Sequence, residues 1–247
     1  MSITSEEELR GLRAAGRIVG RALRELARLV RPGVTTGEID VAAAGILQRV
    51  GARSAPALVY GFPGAICISL NDEIVHGVPG ARVIREGDLV KLDLTIEKDG
   101  FMADAAITVC VPPVSDDARR LVRCAERAFR KAIGVARAGR RVNEIGRAVE
   151  DEVRRSGFSV VRELCGHGIG RTIHEPPTVP NFFDAEMDSR LTEGLVITIE
   201  PLIAVGSGQE FTARDGWTVK TRDRSLAAHF EHTLVITRDA PILLTAA

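Results

Sequence analysis

Five side chains spread along this sequence have the chemistry of a cation site. Asp93 and Asp104 lie in two apolar segments, 89–96 and 101–111, joined through Lys98-Asp99-Gly100. Taking Lys98-Asp99 as a two-residue hairpin loop pairs Glu97 with Gly100. The two aspartates then stand directly opposite, with Cβ atoms about 5 Å apart. A bulge at Gly100 would move that register by one residue. Like charges so placed repel unless something cationic lies between them. Glu200 closes the apolar run Leu195–Ile199 ahead of Pro201, and Glu231 opens the run 231–236. A carboxylate on a buried strand is costly unless it is paired or metal-bound; taken singly, each Glu reads equally well as a strand end reaching water. His167 stands between Gly166 and Gly168, with His174 seven positions on. Glycines on both sides let the backbone approach a site, and the stretch reads as a loop.

Together these are two Asp, two Glu and one imidazole. Such oxygen-rich ligation is unlike a Cys-rich structural zinc site. Four carboxylates carry the charge that two divalent cations balance. Two cations about 3.5–4 Å apart can clamp a water, lower its pKa and polarise a carbonyl. The residues alone therefore point to a dinuclear metallohydrolase, without naming a substrate.

The elements that must position these groups come twice. Apolar residues at helical spacing predict a helix over 5–31, stopped by Pro32-Gly33. Thr35 and Glu38 form a capping-box pattern ahead of a second helix, 39–50, ending at Gly51. Residues 57–75 mix Gly, Pro and β-branched types and predict strands and loops, followed by the hairpin. A helix over 115–138 and another over 142–156 then restart the order, stopped by Gly139 and Gly157. An offset of 106 places Gly33 on Gly139, Glu38 on Glu144, Ile39 on Ile145 and Gly51 on Gly157. The expectation is one α+β domain over 1–247, with an internal repeat of about 5–111 and 115–240. Two such halves pack with pseudo-twofold symmetry, sheet inside and helices outside, so that a site between them draws on both.

Composition narrows the class. The 247 residues carry 33 basic and 33 acidic side chains. This balance argues against stable nucleic-acid or membrane-surface binding. No apolar run reaches the length of a transmembrane helix, and the start, MSITSEEELR, lacks the basic and apolar character of a signal peptide. The four Cys show no CxxC and read as reduced thiols, so the expected location is the cytoplasm. Nothing demands more than a monomer.

The order Asp93, Asp104, His167, Glu200, Glu231 resembles the metal ligands of the type I methionine aminopeptidases. So do the strings around them: Asn71-Asp72-Glu73-Ile74-Val75-His76-Gly77-Val78-Pro79, Val90-Lys91-Leu92-Asp93-Leu94-Thr95, Asp99-Gly100-Phe101, Cys165-Gly166-His167-Gly168-Ile169-Gly170, Thr198-Ile199-Glu200-Pro201, Asp215-Gly216-Trp217-Thr218 and Phe230-Glu231-His232-Thr233. The resemblance spans nearly the whole chain and implies the pita-bread fold, with a central antiparallel sheet. It implies removal of the initiator Met from nascent chains when the second residue is small, by a metal-activated water. It also implies two divalent cations (Co, Mn, Fe or Zn) and transient ribosome contact. Asp93 would hold one cation and His167 the other, while Asp104 and Glu231 bridge. Glu200 would be both ligand and general base. His76 and His174 would touch the scissile peptide at its nitrogen and its carbonyl oxygen. His174 and Glu200 are only 26 positions apart, too close for the type II insert, and no zinc-finger extension precedes the unit; the short bacterial form is implied.

The side-chain pocket departs from the family. Val59 and Phe62 stand where tyrosines are usual and Ile173 where Phe is, while Cys67 and Trp217 remain. Fewer aromatic–sulfur contacts, worth about 0.3–1.5 kcal/mol each, loosen the preference for Met. An aminopeptidase of the same fold with altered specificity is the nearest alternative. Proline-cleaving relatives carry a separate N-terminal domain, and non-catalytic peptide-binding modules lose metal ligands, whereas all five are here.

Overall fold

The computed structural model describes residues 1–246. Helix α1 (Glu6–Ala27) starts at Ser5, whose hydroxyl accepts from the Glu8 amide at 3.2 Å, with three glutamates in the first turn favouring its positive end. It ends four residues before the predicted stop, because Arg28–Val30 already turn back onto the last carbonyls of the helix. Helix α2 (Thr36–Val50) carries the expected capping box: Glu38 accepts from the Thr35 amide at 2.7 Å, and Thr35 accepts from the Glu38 amide at 3.1 Å. A short helix α3 (Ala55–Tyr60) lies in the stretch predicted as strands and loops. Its signals were Ser54, which caps the Ala57 amide, and Pro56 in the first turn. Helices α4 (Asp116–Ile133) and α5 (Val142–Arg155) follow. Helix α4 stops at Gly134, short of the predicted Ala138.

The two halves repeat one turn in detail. Gly33 and Gly139 both have φ near 90°. The Gly33 amide donates to Ile84 O at 3.0 Å and the Gly139 amide to Leu191 O at 2.8 Å. Ile84 and Leu191 return the bond to Val34 O and Arg140 O. Glu144 reaches back to the Arg141 amide as Glu38 does to Thr35.

The main sheet is antiparallel throughout. Its strand order is Arg53–Ser54, Leu89–Lys98, Phe101–Cys110, Glu231–Val235, Val196–Ile199, Gly166–Gly168 and Glu175–Val179. Cys67–Leu70 adds to Leu89–Lys98, and Ile242–Leu243 to Glu231–Val235. Strands of the two halves therefore meet where Phe101–Cys110 pairs with Glu231–Val235. Helices α1 and α2 bury Leu12, Val19, Leu26 and Ile39 in one core with the first hairpin; α4 and α5 bury Leu121, Phe129, Ile145 and Val149 in a second core.

The hairpin register corrects the sequence expectation. Lys98 pairs with Phe101, so the loop is Asp99-Gly100, and Asp93 faces Ala106 while Asp104 faces Thr95. Both loop residues take left-handed φ (52° and 81°), the two-residue turn whose twist matches the strands. The slip relative to the expected pairing is two residues. Side chains alternate with period two, so both aspartates stay on one face.

Candidate metal centre

That face organises the site in two rows. Asp93 faces Ala106, and Ala106 faces Glu231. Two residues along, Thr95 faces Asp104, and Thr233 faces Thr198. The Thr233 hydroxyl accepts from the Asp104 amide at 2.9 Å and donates to its carbonyl at 2.7 Å. Glu200 follows the last residue of the Val196–Ile199 strand, beside the first residue of Glu231–Val235. Its backbone carbonyl accepts from Asn181 Nδ2 at 2.9 Å. Alternation alone thus directs the four carboxylates to a common side.

His167 lies in a strand, Gly166–Gly168, rather than in the predicted loop. The flanking glycines serve sheet packing: a Cβ on Gly168 would sit 2.2 Å from Pro176 O, and one on Gly166 2.7 Å from Thr198 O. The His167 amide donates to Thr198 Oγ1 at 3.1 Å. Its Nδ1 is 2.9 Å from Gly168 O, an acceptor only, so Nδ1 carries the proton. Nε2 is left as a bare lone pair, 3.7 Å from Glu200 Oε1. Fixing one ring nitrogen to a carbonyl is how proteins prepare the other as a ligand.

Two trios bring ligand atoms within 4.8 Å of one another: Asp104, His167, Glu231, and Glu200, His229, Glu231. Glu231 belongs to both. Asp104 Oδ1 and Glu231 Oε1 are buried without any hydrogen-bond partner among the described residues. Burial, reinforced by neighbouring carboxylates, pushes Asp93, Glu200 and Glu231 well above the usual range, and burial raises Asp104 to about 6. Orphaned carboxylate oxygens facing a bare imidazole nitrogen fit a divalent cation of the first transition row. Asp93 belongs to neither trio, although it lines the same cavity and abuts Asp104.

The cavity measures about 730 Å³. His76 and His174 both line it with His167. His76 sits at φ 57°, in a loop pinned where the Gly77 amide donates to Ser69 Oγ at 2.9 Å. Burial, then His174, lowers His76 to about 4; burial alone lowers His174. Both rings are neutral at neutral pH. The His167 and His174 rings meet edge to face at 4.2 Å.

Of the expected pocket residues, Phe62, Cys67, Ile173 and Trp217 line the cavity. Phe62 and Trp217 pack edge to face at 5.3 Å. Asp215 fixes the turn by accepting from the Trp217 and Thr218 amides, both at 2.9 Å. Val59 is a correction. It lies outside the cavity lining, to which α3 contributes the neighbouring Tyr60 instead.

Three site residues were missed. Tyr60, the only tyrosine, hydrogen-bonds His174 Nδ1 at 2.6 Å. Thr198 bridges His167 and Glu200, donating to Glu200 Oε1 at 3.2 Å; its signal was alternation with Glu200. His229 stands two positions before Glu231, a spacing that was legible but shared with many buried pairs. Among the described residues, no helix is long and apolar enough to cross a membrane.

Residues 10–238 match metallopeptidase family M24. Methionine aminopeptidase 2 of Bacillus subtilis (strain 168) is 43% identical over 247 residues, covering 99% of each chain. The methionine aminopeptidase of Escherichia coli (strain K12) is 39% identical over 247 residues, 99% of this chain and 94% of that one. The crystal structure of methionine aminopeptidase from Rickettsia prowazekii superposes with a TM-score of 0.95 at 35% identity, covering 99% of this chain and all of the other.

Proposed function

The chain belongs to metallopeptidase family M24 and, within it, to the methionine aminopeptidases, and from that membership we infer that it removes N-terminal methionine from proteins in a metal-dependent reaction. Divalent metal use follows from the family. We further propose two cations, drawn from Mn, Fe, Co and Zn, held by Asp93, Asp104, His167, Glu200 and Glu231. The observation that carries this reading is the pair of unpartnered buried oxygens, Asp104 Oδ1 and Glu231 Oε1, near the bare Nε2 of His167. We read the chain as a single catalytic domain, with its site between the two repeated halves. Nascent chains are the proposed substrates and the cytoplasm the proposed location. The ribosome is a proposed transient partner, and the monomer the proposed state.

A cation held there supplies Lewis-acid polarisation and makes a water acidic enough to attack at neutral pH. The chain's own groups do the rest. Phe62, Cys67, Ile173 and Trp217 form apolar walls for the N-terminal side chain. His174, neutral and with its Nδ1 occupied by Tyr60, presents an Nε2–H donor to the peptide carbonyl oxygen as charge develops there. Glu200 accepts the proton of the attacking water and passes it toward the leaving nitrogen, near His76. Thr198 steadies Glu200 through Oε1.

The test is release of free Met from Met-Ala-Ser by the chelated protein after addition of Mn or Co, beside Glu200→Gln. Metal-dependent release that the variant lacks is expected. Absence of release by folded, metal-loaded protein overturns the assignment, or moves it to altered specificity if other N-terminal residues are cleaved.

A further inference from the structure

His229 is buried at 1% exposure at the end of the Ala227–His229 strand. Its backbone is fixed on both sides by Thr108, whose Oγ1 accepts from the His229 amide at 3.0 Å and donates to its carbonyl at 2.8 Å. Its Nε2 lies near two carboxylates, 3.4 Å from Glu231 Oε2 and 3.7 Å from Glu200 Oε2. Neither ring nitrogen has a hydrogen-bond partner among the described residues. The ring does not line the cavity; it stands behind the carboxylates that do.

Two roles compete: a nitrogen ligand, or a donor that aims the ligands. The neutral ring carries one proton. If Nε2 held a cation, that proton would sit on Nδ1, where no acceptor lies, leaving a buried N–H orphaned. Buried orphan donors are rarer than under-used acceptors. With the proton on Nε2, two carboxylate oxygens lie within 3.7 Å of it, close enough to attract an N–H although not in hydrogen-bond geometry, and only a lone pair on Nδ1 goes unused. His167 is the converse, with Nδ1 bonded to Gly168 O and Nε2 bare. The two imidazoles thus differ in what surrounds them: a carbonyl holds Nδ1 of His167, whereas carboxylates flank Nε2 of His229.

We propose that His229 is a positioning residue of the metal centre. Its Nε2–H is directed at Glu231 Oε2 and Glu200 Oε2, holding those oxygens back so that the other oxygen of each carboxylate faces the cation. This rests on the metal centre proposed above. It predicts that His229 sets cation affinity without changing how many cations bind.

The test uses the full chain. First, ¹⁵N-histidine NMR of the zinc-loaded wild type reads each tautomer, with assignment by single His→Gln variants. A proton on Nε2 of His229 and on Nδ1 of His167 is expected; a proton on Nδ1 of His229 makes it a ligand and overturns the proposal. Second, calorimetric titration with Mn compares wild type, His229→Gln and His229→Leu. His229→Leu should weaken binding roughly 10- to 100-fold at unchanged stoichiometry, and His229→Gln, which keeps an N–H donor, should recover most of the loss. Unchanged affinity in His229→Leu, or a cation lost in both variants, overturns it. A wild type that binds no cation overturns the metal centre itself, and this inference with it. Should His229→Leu fail to fold, the wild-type tautomer still decides.

Discussion

The Tyr60 hydroxyl lies 2.6 Å from Nδ1 of His174, and the two rings stack with centroids 5.7 Å apart. A phenol is a far better donor than acceptor, so Tyr60 gives its proton to Nδ1 and leaves Nε2 as the N–H facing the cavity. Tyr60→Phe removes that constraint while keeping the stacked ring. We expect kcat to fall about 3- to 10-fold with KM nearly constant, the size of one hydrogen bond. Steady-state kinetics on Met-Ala-Ser check this; a change confined to KM would place Tyr60 in substrate binding instead.

Cation affinity should rise with pH. In the metal-free protein Asp104 is raised to about 6 by burial, and burial with neighbouring carboxylates raises Asp93, Glu200 and Glu231 well above the usual range. These shifts favour the protonated carboxyls, with which a cation must compete, whereas His167, lowered to about 3 by burial and then His174, is already bare. Affinity is therefore weakest below the Asp104 value and strengthens as pH climbs through about 6 and beyond. Calorimetry in buffers of different ionisation enthalpy should show protons released on binding at neutral pH; binding without release contradicts the raised values.

Selectivity for Met over its isosteres should be shallow. The pocket walls combine Phe62 and Trp217 with Cys67 and the aliphatic Ile173. Ile173→Phe adds one aromatic–sulfur contact, worth about 0.3–1.5 kcal/mol, and should raise the Met-to-norleucine ratio of kcat/KM by roughly 2- to 10-fold. Competition between Met-Ala-Ser and norleucine-Ala-Ser measures it. An unchanged ratio would mean that Ile173 does not touch the substrate side chain.

Gly168→Ala should cost both fold and metal. The added Cβ would fall 2.2 Å from Pro176 O, a backbone atom that cannot swing away. Pushing the neighbouring Glu175–Val179 strand aside costs about 1–3 kcal/mol and displaces His167. Thermal melts and Mn titration together check this; loss of stability at wild-type affinity would separate the glycine from the ligand.

The sequence by itself determined the four long helices to within a few residues of their ends, the matched Gly33 and Gly139 turns of the two halves and the side of the sheet on which Asp93 and Asp104 stand. These depend on local capping, on φ preferences and on period-two alternation, all carried by neighbouring residues. It also supplied the cavity residues Phe62, Cys67, His76, His174 and Trp217, through motifs whose order matches a known family. It did not give the hairpin register, because Lys98-Asp99 and Asp99-Gly100 are both plausible loops until the strand twist selects the second. Nor did it give Tyr60 in place of Val59, since a single turn of α3 decides which faces the cavity. The strand setting of His167 depended on Thr198 and Pro176 lying alongside its glycines. His229 needed the most of the tertiary structure. Its meaning lies in an imidazole nitrogen 3.4 Å from Glu231 and 3.7 Å from Glu200, with no hydrogen-bond partner for the other nitrogen among the described residues. Spacing along a chain can propose which groups share a face, but the partner that a buried polar atom lacks becomes visible only when every neighbour is in place.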